Sequence, residues 1–133
     1  MKLRHLLIAL LWSPLFALAA EAPKITPAEA AKRVAAGTAV IVDVREPSEW
    51  AESGVAAPAA LLAKSDFDGA KTSWTPFLKE NAGKEVILYC RGGGRAGAVA
   101  EALAATGVKV ANIGGFRDWE KAGLPTRKVE PKK

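Results

Sequence analysis

The sequence predicts an α/β fold: a central parallel sheet with helices on both faces, in one domain. Three observations carry this expectation. β-branched apolar runs at residues 38–44, 85–89 and 108–113 alternate with segments of helical spacing. Glycine or proline stands at nearly every junction between them. No internal repeat or low-complexity linker breaks the order, and short buried strands alternating with helices build a parallel sheet because each crossover helix covers a face.

The chain opens with a basic stretch, residues 1–5, followed by an apolar run at residues 6–19 that ends in Ala17-Leu18-Ala19. Small residues three and one positions before a cut mark a secretory signal peptide, here residues 1–19, with cleavage after Ala19 or Ala20. A spanning helix needs about 20 apolar residues. This run is shorter and contains Pro14, so no stable membrane anchor is expected and the localisation implied is periplasmic or otherwise exported.

Thr26-Pro27-Ala28-Glu29 reads as a capping box that opens a helix, which Gly37 ends. Residues 38–44 form a buried strand finishing in Asp43-Val44-Arg45, and residues 47–52 a short helix anchored by Trp50. Residues 54–62, small and proline-interrupted, read as a loop with a weak strand near residues 60–62. Residues 64–73 are polar and read as a mobile connection, and a helix follows at residues 74–81. After the strand at residues 85–89, residues 95–106 form a helix whose many alanines allow close approach to the sheet. A strand at 108–113, a Gly114-Gly115 turn and a helix at 116–122 complete a domain of residues 25–127, leaving 128–133 as a flexible basic tail.

Composition narrows the function. The 133 residues carry 19 Lys and Arg against 14 Asp and Glu, a net charge of +5, and loss of Lys2 and Arg4 with the leader lowers that by two. So mild an excess, with no basic run interleaved with aromatics, provides no nucleic-acid stripe. The one histidine, His5, lies in the leader, so the mature chain has no Cys-His or Ser-His pair and no ordinary His/Cys metal site. Neither a metal nor another cofactor is expected. One cysteine remains, Cys90, destined for a compartment where thiols usually pair.

Cys90 stands where a strand ends and Arg91-Gly92-Gly93-Gly94-Arg95 begins. An inert core cysteine gains nothing from three consecutive glycines, which cost backbone entropy on folding. Glycines at 92–94 allow positive φ and close approach, so several N–H donors can converge on one point. The following helix aims its positive end there, and Arg91 and Arg95 add two charges. All of these favour S⁻ over SH. Cys90 is therefore the candidate nucleophile, with Arg91, Gly92, Gly93, Gly94 and Arg95 as the substrate-binding loop, at the carboxyl end of a strand, where ligands of such sheets bind.

Three segments, in order, resemble the signature regions of the rhodanese-like domain: Asp43-Val44-Arg45-Glu46-Pro47-Ser48-Glu49-Trp50, then Tyr89-Cys90-Arg91-Gly92-Gly93-Gly94-Arg95, then Gly114-Gly115-Phe116-Arg117-Asp118-Trp119 with Ala122-Gly123-Leu124-Pro125. The resemblance covers residues 25–127 and is to small, exported, single-domain members of the thiosulfate sulfurtransferase type. It implies a parallel sheet of about five strands. It also implies an enzyme that moves a sulfane sulfur from a small anionic donor such as thiosulfate to cyanide, a thiol or a protein acceptor. By this resemblance Cys90 is the persulfide-forming nucleophile, residues 91–95 cradle the sulfur, and Asp43 and Arg45 form a structural ion pair near the site. Trp119 and Gly114-Gly115 match a packing motif. Val55 replaces a common histidine, which implies altered acceptor docking, and Ala96 replaces a frequent hydroxyl residue, which implies one missing hydrogen bond at the helix entrance.

Two rivals differ in chemistry. A phosphatase or arsenate reductase of related fold would need Cys-x5-Arg, hence an arginine at position 96, where Ala96 stands, and arsenate reduction would want a resolving cysteine. A non-turnover sulfur-carrier or protein-binding module would keep Cys90 yet deliver sulfur stoichiometrically.

Overall fold

The structure, a computed structural model, describes residues 21–133; the leader expected at residues 1–19 lies outside them. The first helix, α1 (Pro27–Ala35), begins as its sequence requires, with Thr26 Oγ1 accepting from the Glu29 amide at 3.1 Å and Pro27 in the first turn. Only this half of the expected capping box forms. The Glu29 carboxylate instead accepts from Arg33 Nε, one helical turn on, at 2.9 Å.

Strands β1 (Ala39–Asp43), β3 (Ala60–Leu61), β4 (Glu85–Cys90) and β5 (Val110–Gly115) form one parallel sheet in the order β3-β1-β4-β5. The sheet therefore has four strands. Beyond β5 a single parallel bridge between Lys24 and Asn112 holds the fifth place, and it stays that short because Pro23 beside it has no N–H to offer a ladder. Strands β2 (Val55–Ala56) and β6 (Thr126–Arg127) pair antiparallel as a separate two-residue ribbon, too short to show a period in sequence.

Helices α2 (Pro47–Ser53), α3 (Lys64–Asp68), α4 (Trp74–Glu80), α5 (Gly94–Ala104) and α6 (Phe116–Lys121) fill the connections. The α3 helix corrects the expectation of a mobile polar connection at residues 64–73. Its Asp66 carboxylate accepts from the amides of Thr72 and Ser73 at 2.8 and 2.9 Å, and Phe67 meets Trp74 edge-on with ring centroids 5.0 Å apart. One apolar residue in a five-residue helix leaves no stripe to read. Residues 128–133 have no regular structure.

Side chains alternate across the sheet. Val86, Leu88 and Cys90 join Val99, Ala100 and Leu103 of α5 and Trp74 of α4 in one core. Ile87 and Tyr89 join Ala30 of α1 and Phe116 and Trp119 of α6 in the other. Central β4 is buried along its whole length, so its carboxyl end delivers Cys90 to a well-supported position.

Candidate active site at Cys90

The register places the site. Asp43, the last residue of β1, lies opposite Tyr89, and Cys90 lies opposite Gly115, so three strand ends meet at one edge. Between the pairs Leu88–Asn112 and Cys90–Gly115, β5 carries one residue more than β4, and Gly114 absorbs it at φ +88°. Gly115 must be glycine for another reason. A Cβ there would lie 2.2 Å from the Arg91 carbonyl oxygen. The Gly114-Gly115 motif thus packs directly against the loop that follows Cys90.

Cys90 is 2 % exposed, and its Sγ accepts from the Gly93 amide at 3.0 Å. Of the three loop glycines, only Gly93 takes positive φ, +99°, where the sequence allowed all three. The reason is local: Gly93 caps α5, and a Cβ on it would come within 3.2 Å of Gly114 Cα. A Cβ on Gly92 or Gly94 would meet nothing within 4 Å, so packing does not require glycine at these two positions. The amides of Gly94, Arg95 and Ala96 open α5 and have no backbone acceptor among the described residues.

Cys90, Arg91, Gly92, Gly94 and Arg95 line an open cleft of about 930 Å³, together with Arg45 and Arg117. The two loop arginines differ. Arg91 is exposed and in no ion pair among the described residues, whereas Arg95 is held bidentate by Glu49 of α2, with Nη1 to Oε2 at 2.7 Å and Nη2 to Oε1 at 2.8 Å. Arg117, exposed at the first turn of α6, is the second cation of the cleft that pairs with no carboxylate among the described residues. Sequence reasoning missed Arg117 and Glu49 because each reaches the site only through the fold.

The Arg95 guanidinium pulls the Glu49 carboxyl down to about 2. Because its folded value lies below the unfolded one, the pair stabilises the fold fully above the ordinary carboxyl range, and that stabilisation is lost as pH falls towards 2. The Glu49 side-chain carbon resonance should titrate with a midpoint near 2, and Arg95→Gln should move it up towards about 4.3. A wild-type midpoint in the ordinary range would contradict the pairing.

Below the cleft lies the Asp-x-Arg pair. Arg45 and Asp43 are buried and joined by Nη2 to Oδ2 at 2.8 Å, with Nε 3.0 and 3.1 Å from the two carboxylate oxygens. Arg45 also donates from Nη1 to Ser53 Oγ and from Nη2 to the Gly54 carbonyl, both at 2.8 Å, which pins the end of α2. Its guanidinium lies 4.7 Å from the Phe116 ring centroid. Tyr89, adjacent to Cys90, accepts at its hydroxyl from the Ala56 amide at 2.9 Å, and burial pushes its phenol well above the ordinary range. Val55 is fully buried in β2 and Ala96 fully buried in the core beside Cys90, so neither family departure faces the cleft.

Residues 26–122 match the family description "Rhodanese-like domain". The chain belongs to the rhodanese-like domain family. No curated protein matches it significantly. Among solved structures, this rhodanese-like domain is similar to a Rhodopseudomonas palustris protein of unknown function described as a possible tyrosine phosphatase, at 28% identity and TM-score 0.66, covering 80% of this chain and 85% of that one. It is equally 28% identical to a rhodanese-like domain protein from Staphylococcus aureus, at TM-score 0.61, covering 79% of this chain and 98% of that one. A polysulfide-sulfur transferase homodimer from Wolinella succinogenes, at 23% identity and TM-score 0.63, covers 81% of this chain and 80% of that one and shares the fold.

Proposed function

We propose that this rhodanese-like domain is a sulfurtransferase of the thiosulfate type working through a Cys90 persulfide. The observation that carries the reading is the Cys90 sulfur at the floor of an open cleft, already accepting one loop amide at 3.0 Å beneath the free amides of the α5 amino end. The Cys90 thiolate attacks the outer sulfur of thiosulfate; a new S–S bond forms, the donor S–S bond breaks, and sulfite leaves with the bonding pair. Arg91, exposed beside Cys90, is placed to meet the anionic donor, and the amides of residues 93–96 to stabilise charge on the terminal persulfide sulfur. Cyanide or a thiolate then attacks that sulfur and restores the Cys90 thiolate.

Phosphate transfer fits this chain less well. Its loop is Cys-x4-Arg, and Ala96, where a phosphate loop would need arginine, is fully buried in the core. Export belongs to the same proposal, supported by the apolar run at residues 6–19 and by Ala17-Leu18-Ala19. Among the described residues no helix is long and apolar enough to cross a membrane.

Intact mass of the exported protein tests both parts. Removal of residues 1–19 or 1–20 is expected, followed by gain of one sulfur atom after brief thiosulfate treatment and its loss to cyanide, with no gain in Cys90→Ser. Loading without turnover would assign the carrier role. A folded, reduced protein that gains no sulfur would refute thiosulfate as donor.

A further inference from the structure

We propose that Asn112 is a positioning residue that fixes the Gly93–Gly94 peptide so that the Gly94 N–H faces the Cys90 cleft. Its chemical meaning rests on the reading of Cys90 as the reacting group. Asn112 lies on β5 opposite Leu88, 7 % exposed, with its backbone held on the outer side by Pro23, whose carbonyl accepts at 2.9 Å, and by the Ile25 amide, which donates at 3.1 Å. Its side chain has two partners of opposite kind. Oδ1 accepts from the Gly114 amide at 2.8 Å, and Nδ2 donates to the Gly93 carbonyl at 3.0 Å. An N–H only donates and a carbonyl only accepts, so this orientation of the carboxamide is the one that satisfies both.

A trans peptide is planar, with its C=O and N–H pointing in opposite directions. No described peptide is cis. The Gly93 carbonyl points at Asn112, towards a hollow of about 570 Å³ behind the loop that both residues line. Gly94 lines both spaces, but Asn112 lines only the hollow and Cys90 only the cleft. The N–H of the same peptide, on Gly94, is opposite in direction to a carbonyl aimed at Asn112 and so points to the cleft side. Such a lock has a physical purpose. The peptide joins two glycines, which lack the Cβ atoms that would resist its rotation. The first helical bond, from the Gly97 amide, takes one lone pair of the Gly93 oxygen at 2.8 Å, and Asn112 takes the other from a buried strand position. The cleft then has a second oriented donor beside the Gly93 amide, ready for negative charge on or next to Sγ.

Alkylation of Cys90 by iodoacetate and by iodoacetamide reads this orientation without any sulfur donor. Both reagents meet the same thiolate and release iodide, so the ratio of their rates reports how well the site receives a carboxylate. Asn112→Asp keeps the acceptor for Gly114 and loses the donor to Gly93; Asn112→Ala loses it without adding charge. The ratio should fall about tenfold or more in both variants, the size of one hydrogen bond to a charged group. An unchanged ratio would overturn the proposal, and so would a fall confined to Asn112→Asp, which would report only its added charge. Should neither variant fold, the wild type decides: carboxymethylation of Cys90, and not carbamidomethylation, should move the Gly94 amide proton downfield, and no movement overturns the assignment. Failure of Cys90 to take sulfur from thiosulfate would refute thiosulfate as donor and leave this ratio intact.

Discussion

Arg45→Met is expected to destabilise the protein by about 3–5 kcal/mol, the cost of leaving a buried charge without its partner. Asp43 is fully buried, and without Arg45 it keeps the backbone amide at position 45, at 2.9 Å, and the neighbouring Tyr89 hydroxyl but no cation. The same change removes the Arg45 bonds to Ser53 and the Gly54 carbonyl and so weakens the hold on the end of α2, the helix that presents Glu49 to Arg95. Urea unfolding followed by tryptophan fluorescence measures the cost. The double change Asp43→Leu with Arg45→Met should recover much of it, because an apolar pair of similar volume removes the uncompensated charge. A loss below about 1 kcal/mol for Arg45→Met, the range of an exposed pair, would mean that water reaches Asp43 and that the pair does not organise the cleft floor.

Gly115→Ala should cripple the site while leaving a folded protein. At φ −117° the backbone accepts any residue, so the effect is purely one of space: the new Cβ would sit 2.2 Å from the Arg91 oxygen and 3.2 Å from Asp118 Oδ2. Something has to move, and the Arg91 carbonyl belongs to the loop over Cys90. Overpacking of this kind costs about 1–3 kcal/mol. Displacing a reacting group by about 1 Å costs on the order of 100-fold in rate, and that loss is expected in sulfur loading of Cys90. Gly92→Ala, whose Cβ meets nothing within 4 Å, should unfold at the wild-type urea midpoint. Sulfur loading in Gly115→Ala at the wild-type rate would show that the close approach does not hold the loop.

Much of this protein is written in short stretches of chain. The continuous apolar run of β4, the glycine-rich turn after Cys90, the Thr26 cap and the alanines of α5 act over a few residues, so strand, turn and helix follow from local pattern. Those features placed Cys90 at the carboxyl end of a buried strand and marked the loop as built for an anion. The elements that escaped, β2, β6 and α3, are two to five residues long and are held by partners distant in the chain or by one carboxylate, Asp66, accepting from the turn beyond it.

Tertiary structure alone decided how the charges are spent. Glu49 claims Arg95 from 46 residues away, leaving Arg91 and the unforeseen Arg117 as the cleft's unpaired cations among the described residues. Asn112, an unremarked polar residue in an apolar strand, meets Gly93 because β4 and β5 lie side by side. Gly115 is required because a carbonyl from another strand's end lies against it. A sequence records which groups are present and their local geometry; which of them neutralise, orient or crowd one another depends on contacts that exist only once the sheet has closed.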